Sequence, residues 1–313
     1  MAKTNKQKII DLCGEITKSE GKGSVFTIDS ENANLKIKRW STGIEDLDHI
    51  LGGGMPEGRV VEIFGPEGSG KTTMLYHLCG LHSLCLDIPI EGTFDAQRAA
   101  VFGNKPKQML VYRANFGEDA MNRAIQFARA GIPMIGIDSV PSLIPRDDVE
   151  KVLKSANKNT VEEQRIGGTA RLLNKYLPPI EGIMEVSGTT LIFTNQVRDK
   201  MNAMMFGEKT DTPGGRRLKH SCSIRLQVAR RAWIKIPNKD PYNSAKEETI
   251  GFVMKCKVVK SKICNPLGEC EVPCIFDRGF VSFDDVKKIR KELMDARAKE
   301  YGKRVSKDDN WDE

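Results

Sequence analysis

The run Gly65-Pro66-Glu67-Gly68-Ser69-Gly70-Lys71-Thr72 fits the pattern G-x-x-x-x-G-K-[ST], and the chemistry such a run can do is to hold phosphate. Glycines let the backbone approach an anion closely, while successive N–H groups and the positive end of a helix dipole converge on one place. The flanks supply the required setting. Val60-Val61-Glu62-Ile63-Phe64 reads as a buried strand and Thr72-Thr73-Met74-Leu75-Tyr76-His77-Leu78 as a helix. The chain is therefore expected to bind a nucleoside triphosphate along Gly65 to Thr73. Lys71 would neutralise the β and γ phosphates, and the Thr72 hydroxyl would ligate magnesium directly.

A magnesium shell needs a carboxylate at a nearby strand end, and Asp138 follows the apolar run Pro133 to Ile137, where it would act through water. Hydrolysis also needs a base that orients water at the γ-phosphate, from another strand end on the same sheet edge. Glu91, after Leu84 to Ile90, is the leading candidate, with a solvated loop carboxylate as the competing reading. A third strand end, Thr194-Asn195-Gln196-Val197-Arg198, places the Gln196 amide where it could sense the γ-phosphate. Asp199 to Arg217 then forms a long segment rich in Lys, Arg, Met and Gly. A loop of that length inside a compact domain is usually functional.

The elements that must position these groups follow from periodicity. From Ser41 onward strands and helices alternate, which implies an α/β fold with a mostly parallel central sheet covered on both faces. Strands are expected at Leu84–Ile90, Met109–Arg113, Met134–Asp138 and Thr190–Thr194. A helix over Gly117–Ala130 should turn Ala120, Ala124, Phe127 and Ala128 inward and stop at Gly131. From Ser221 the pattern changes to long alternating strands, Ser223–Arg230, Gly251–Lys260 and Glu271–Phe276, an antiparallel extension of the sheet. A charged helix over Asp284–Tyr301 and an acidic tail follow. Near the start, Ile9, Leu12, Cys13 and Ile16 share one face of a separate helix. Such a short helix must dock, on its own core or on a neighbouring subunit. The division expected is an N-terminal helix and linker over residues 1–35, a core over 36–283, and a charged helix and tail over 284–313.

Composition narrows the partners. A formal net charge of +7 over 313 residues, spread through a mixed-charge sequence, favours a polyanion such as nucleic acid. No apolar run is long enough to span a bilayer, so a soluble intracellular protein with no membrane partner is expected. Among the eight cysteines, Cys264, Cys270 and Cys274 cluster around the turn Asn265-Pro266-Leu267-Gly268. A zinc site or disulfide there is weighed against reduced structural cysteines. The lack of a C-x-x-C pair or a nearby histidine favours the latter.

Beyond the phosphate loop, the chain resembles the bacterial and phage RecA-type recombinases, in a compact form. The motifs that carry the resemblance are Lys6-Gln7-Lys8 with Gly21-Lys22-Gly23-Ser24, Ser41-Thr42-Gly43, Gly65 to Thr73, Ile137-Asp138-Ser139-Val140, Asn195-Gln196-Val197-Arg198, and Lys257-Val258-Val259-Lys260-Ser261-Lys262. The resemblance implies a RecA-like ATPase core using ATP and Mg2+ in a bacterial cytoplasm, or a host cell if phage-encoded. It implies polymerisation on single-stranded DNA, and pairing and strand exchange with homologous double-stranded DNA. A single-strand-binding protein and a loader would be accessory partners.

By the same resemblance Glu91 is the catalytic glutamate, Asp95 contacts adenine, and Gln196 links the γ-phosphate to a second DNA loop. Lys260 and Lys262 reach the ATP of the adjacent subunit. A first DNA loop spans Ile144–Arg171, with Ile166 near bases and Arg171 on phosphate. The second spans Arg198–Lys219, with Arg198 on the backbone and Met201 as an apolar wedge, and Lys200, placed in that loop, is expected to add a phosphate contact. Lys255 and Lys257 match a secondary DNA site, and the N-terminal helix packs on a neighbour. A ring-forming RecA-fold motor and a non-catalytic recombinase regulator are the alternatives. The former is not expected to keep the N-terminal helix and linker. The latter is not expected to keep Lys71, Thr72, Glu91, Asp138 and Gln196 together.

The sequence also departs from the family pattern. His220 stands in place of a phenylalanine, Pro178 and Ala229 in place of basic residues, and the stretch Ala232–Glu248, with Trp233 and Tyr242, is longer than expected. The globular C-terminal domain of the family is expected to be missing.

Overall fold

The computed structural model describes residues 4–20, 37–156, 167–199, 210–238 and 245–308. Ile166, Lys200, Met201, Tyr242, Gly21 to Ser24 and the acidic end of the tail lie outside them. Backbone contacts divide the chain into two units, Met1–Lys38 and Arg39–Glu313. The first contains helix α1, Asn5–Glu20. Ile9 and Leu12 of its apolar face are 62% and 54% exposed.

The second unit is built on a nine-stranded sheet. Its parallel half comprises β3 (Val60–Gly65), β4 (Cys85–Pro89), β5 (Met109–Val111), β6 (Met134–Asp138) and β7 (Thr190–Gln196), after two short strands, β1 (Arg39–Trp40) and β2 (Met55–Pro56), that pair with each other. The order runs β3, β7, β6, β4, β5, every neighbour parallel. All residues of β3, β4 and β6 are buried, as expected when helices cover both faces. One face packs Val61 and Ile63 against Met74, Leu75 and Leu78 of α3 (Lys71–Gly80). The other packs Leu86, Ile88, Ile135 and Ile137 against Ala120, Met121, Ala124 and Ala128 of α5 (Gly117–Arg129) and Leu172, Leu173 and Leu177 of α7 (Gly168–Ser187). Phe127, expected inside, is only partly buried against that cluster, and Met121 takes the fully buried position. Helix α2 (Glu45–Ile50) precedes β3, and α4 (Ala96–Val101) and α6 (Arg146–Ala156) follow β4 and β6.

The antiparallel extension is longer than the sequence suggests. Strand β10 runs Ile224–Pro237 and β11 Glu247–Ser261, followed by β12 (Glu269–Ile275) and β13 (Gly279–Phe280). The first strand joins the parallel half by pairing with β3. The extra length has a packing reason. Ile234, Ile236 and Ile250 form a small core with Val286, Ile289 and Leu293 of α9 (Phe283–Asp308), which accounts for much of the long stretch from Ala232 to Glu248.

Neither expected DNA loop is loop throughout. The first contains α6, whose start carries Asp147 and Asp148 in the first turn, where the helix dipole favours negative charge. Arg171 sits in the first turn of α7. The second contains the short antiparallel pair β8 (Arg198–Asp199) and β9 (Thr210–Asp211), then α8 (Gly215–Ser221). Pro178 and Pro179 lie inside α7, which continues through them.

Candidate functional site

The phosphate loop is wedged where only glycine fits. A Cβ on Gly65 would lie 2.0 Å from the Val228 carbonyl of β10. Gly70, the N-cap of α3 at φ +91, would place one 2.5 Å from the Met254 methyl of β11. The loop thus rests on the antiparallel extension. The Lys71 ammonium donates to the carbonyls of Gly65 (3.2 Å) and Pro66 (2.8 Å). Partial burial pulls its pKa down, opposed by the charges of Asp138, Glu91 and Glu67. The Ser69 hydroxyl is buried with no hydrogen-bond partner among the described residues. A convergent, partly desolvated cation and an unsatisfied buried hydroxyl fit a bound triphosphate.

The acidic groups gather at the carboxyl ends of neighbouring strands, the edge where open α/β sheets bind ligands. The Thr72 hydroxyl donates to Asp138 Oδ2 (2.6 Å), and the Thr194 hydroxyl donates to Oδ1. Asp138 is thereby clamped between the phosphate loop and β7. Beside it, the Ser139 hydroxyl donates to Glu91, whose backbone N–H donates to the Asp138 carbonyl (3.2 Å). Gln196 pairs in register with Gly65, and the Val197 N–H donates to the Gly65 carbonyl (3.3 Å). The fold brings Lys71, Thr72, Glu91 and Asp138 to one sheet edge, with Gln196 one strand over, opposite Gly65. No group of three or more His, Cys, Asp or Glu side chains among the described residues could hold a metal ion. Thr72 and Asp138 fit a magnesium ion whose remaining ligands come from phosphate and water, the usual manner for this cation.

Asp95 serves as the N-cap of α4, accepting from the Arg98 N–H (3.0 Å), while its own N–H donates to the Tyr76 hydroxyl (3.2 Å). Burial pushes the Tyr76 phenol up to about 12. Nearby, Asp87 is buried in β4 and neither carboxylate oxygen has a hydrogen-bond partner among the described residues. Burial, helped by the Asp138 charge, pushes its pKa up to about 8.

Lys260 and Lys262 do not join this cluster. Lys260 stands opposite Arg225, which pairs with Glu62, three residues before Gly65. The offset along the strands is about 10 Å, with two further strand spacings sideways. Instead the Lys260 ammonium donates to the carbonyls of Lys219, His220 (3.2 Å) and Cys222 (3.0 Å), the C-terminal end of α8, where a cation suits the helix dipole. Burial pulls its pKa down, with Lys262 adding to the effect. Lys255 pairs with Glu269 (3.1 Å), and Lys257 faces Glu269 across the β11–β12 ladder. Arg171 and Arg198 are exposed. Between the two expected DNA segments lies a cavity of about 750 Å³, lined by Ile144, Asp148, Leu153, Thr169, Arg198 and Gly214.

Two arrangements escape sequence reasoning. The first is a buried network: Glu62 accepts from Arg225 and from Asn195 Nδ2 (2.7 Å), Asn195 Nδ2 also donates to the Pro213 carbonyl (2.8 Å), and Arg225 donates to Thr212 (3.0 Å). It ties the strand before the phosphate loop to the residue before Gln196 and to the root of the second segment. The one available signal was a glutamate inside the apolar run Val60–Phe64, since a fully buried carboxylate needs a partner. The second is Arg230, whose guanidinium stacks 4.0 Å from the Trp233 ring centroid and donates to the Gly68 carbonyl (3.2 Å). No sequence motif marks that contact.

Residues 7–281 match the family model described as the RecA N-terminal domain. The chain is 35% identical over 282 residues to Protein RecA of Campylobacter fetus, covering 88% of this chain and 76% of that protein. It is 36% identical, with the same coverage, to Protein RecA of Sulfurimonas denitrificans. The match to Protein RecA of Wolinella succinogenes is 34%, covering 88% and 75%. The chain belongs to the RecA family. A RecA-type recombinase is a nucleotide-binding protein that binds DNA and assembles with itself, and the α/β core described above is the RecA fold. No helix among the described residues is long and apolar enough to cross a membrane.

Proposed function

We propose that this recombinase hydrolyses ATP, with magnesium, at the edge formed by Gly65–Thr73, Glu91, Asp138 and Gln196, and that hydrolysis is linked to its hold on DNA. The observation that carries this reading is the joint clamping of Asp138 by Thr72 and Thr194 with Glu91 fixed alongside through Ser139. Backbone N–H groups of the loop and Lys71 hold the phosphates. Bound magnesium would neutralise charge on the phosphate oxygens, held by Thr72 and, through water, Asp138. The Glu91 carboxylate accepts the proton of the attacking water. Gln196, one strand away from Gly65, carries the state of the γ-phosphate into the segment from Arg198 to Lys219.

The position of Lys260 and Lys262, remote from their own phosphate loop, supports their acting on the nucleotide of an adjacent subunit, where they neutralise charge from the opposite side. Nucleotide and assembly then stabilise each other by linkage. The exposed Ile9 and Leu12 of α1 suit packing on that neighbour. Arg171, Arg198 and Lys200 would hold single-stranded DNA through phosphates, with Ile166 and Met201 at the bases and Asp95 at the adenine of ATP. Lys255 and Lys257 would receive the homologous duplex. A single-strand-binding protein and a loader are the accessory partners of this scheme.

Glu91→Gln is the test. DNA-stimulated ATP turnover should fall by roughly 10²- to 10⁴-fold, the usual worth of a general base, with ATP and DNA binding retained. Wild-type turnover in that variant would exclude Glu91 as the base.

A further inference from the structure

Cys270 does not face the cysteines nearest to it in sequence. It stands directly opposite Cys256 in the antiparallel β11–β12 ladder. The Phe276 N–H donates to the Ile250 carbonyl and the Val258 N–H to the Gly268 carbonyl, both at 2.9 Å. Antiparallel pairs alternate, so stepping by two residues from either contact makes 256 and 270 a hydrogen-bonded pair, with Cα atoms about 5.5 Å apart. That separation lies inside the span a disulfide can bridge, roughly 4.4–6.8 Å. Residues opposed in an antiparallel ladder carry their side chains on the same face, so the two sulfurs lie side by side. Cys256 is fully buried and Cys270 only half-buried, so one sulfur is open to a small reagent and the other waits behind it. The neighbouring Cys256 thiol pulls the Cys270 pKa below the ordinary thiol value, while Cys270 and burial push Cys256 up. A reachable thiolate beside a resolving thiol is the arrangement of redox-responsive cysteines.

We propose that Cys270 and Cys256 are a peroxide-reactive pair, Cys270 being the residue attacked by oxidant and Cys256 the one that resolves it to a reversible disulfide. In the first step the Cys270 thiolate attacks the O–O bond of a hydroperoxide ROOH. An S–O bond forms, the O–O bond breaks, and with one proton the products are Cys270–SOH and ROH. In the second, Cys256–SH displaces the hydroxyl, giving the Cys256–Cys270 disulfide and water. Two thiols and one hydroperoxide thus become one disulfide, ROH and water, with two electrons passed from sulfur to peroxide. A dithiol reductant reverses the reaction.

The chain contains its own control. Cys79 and Cys85 are also neighbouring thiols, yet both are buried, and Cys85 and burial push Cys79 well up; a peroxide cannot reach them. Cys264 is half-buried, but it hydrogen-bonds to the Ser261 hydroxyl (3.0 Å) and has no opposed thiol. The inference stands apart from the recombination chemistry. Lys255 and Lys257 flank Cys256 on the same strand, so the link would form within the segment that bears them.

The test treats the purified full-length protein with a few equivalents of hydrogen peroxide, blocks remaining thiols with an alkylating agent, and maps peptides without reduction. The expected result is a peptide pair joined through Cys256 and Cys270, restored to thiols by dithiothreitol, with Cys79 and Cys85 alkylated only after denaturation. In Cys256→Ala, Cys270 should instead accumulate as a sulfenic acid that dimedone labels. The wild-type map alone decides the matter if that variant fails to fold. Absence of the linked pair while Cys264 or another cysteine is oxidised, or its absence at peroxide levels that oxidise the methionines, would overturn the proposal.

Discussion

The parallel half of the sheet and its antiparallel extension are made of similar strands put to opposite uses. In the parallel half every residue of β3, β4 and β6 is buried, so polar side chains emerge only at strand ends, and there they meet: Asp138 with Thr72 and Thr194, Glu91 with Ser139. In the extension, buried and open positions alternate along β10 and β11, and the open ones carry cations such as Lys255, Lys257 and Lys260. A sheet covered on both faces concentrates chemistry at its edge, while one with an open face spreads charge over a surface. The two halves meet where β10 pairs with β3, and at that junction the buried Glu62 of β3 forms an ion pair with Arg225 of β10.

That junction offers the strongest way to break the comparison. Glu62→Gln leaves the largely buried Arg225 guanidinium without its counter-charge, and should cost roughly 3 kcal/mol in urea unfolding. The double variant Glu62→Leu with Arg225→Leu should recover much of that loss, because removing both charges also removes their desolvation. Equal loss in single and double variants would mean the pair is not the link between the halves.

Asp87 tests the dryness of the parallel half. Its pKa is raised to about 8 from an ordinary 3.8, so the folded state holds a proton that the unfolded chain releases. The stabilisation from this proton is complete below about pH 4, declines as pH rises, and is lost by about pH 8. Asp87→Asn should therefore gain on the parent across that window, with a slope of up to about 1.4 kcal/mol per pH unit, and run parallel to it above. Unfolding curves for both proteins from pH 5 to 9 read this directly; a constant difference would mean the carboxylate is solvated.

The smallest effect belongs to the extension. Lys260→Met removes the donor that holds three carbonyls at the end of α8 and should cost about 1–2 kcal/mol. Lys262→Met, at an exposed position, should stay within about 0.5 kcal/mol. If DNA-stimulated ATPase falls comparably in both, their shared role lies across the subunit boundary and the capping role of Lys260 is additional.

What the sequence made legible follows the same division. Phosphate-loop spacing and strand-end carboxylates are local patterns, so Lys71, Thr72, Glu91 and Asp138 could be picked out and were brought together. The Glu62–Asn195–Arg225 network joins residues more than a hundred positions apart, and only the odd glutamate in an apolar strand hinted at it. The helix over Arg146–Ala156 falls inside the segment that the family resemblance gives as a DNA loop, so it was not expected. The hairpin from Ile224 to Ser261 reads short because its outer half alternates weakly, and only α9 explains why Ile234 and Ile236 are buried. Likewise the Cys256–Cys270 pair depends on strand register, which sequence spacing does not reveal.

The central claim is that this chain joins ATP binding to assembly on DNA, with Lys260 and Lys262 completing the site of a neighbouring subunit. Mixing Lys71→Ala protein with a Lys260→Met, Lys262→Met double variant tests it most directly. Each alone should be inactive, and mixtures shown to co-assemble on single-stranded DNA should recover part of the ATPase activity, because one type of mixed interface brings an intact phosphate loop and intact lysines together. No recovery at any mixing ratio would contradict the account.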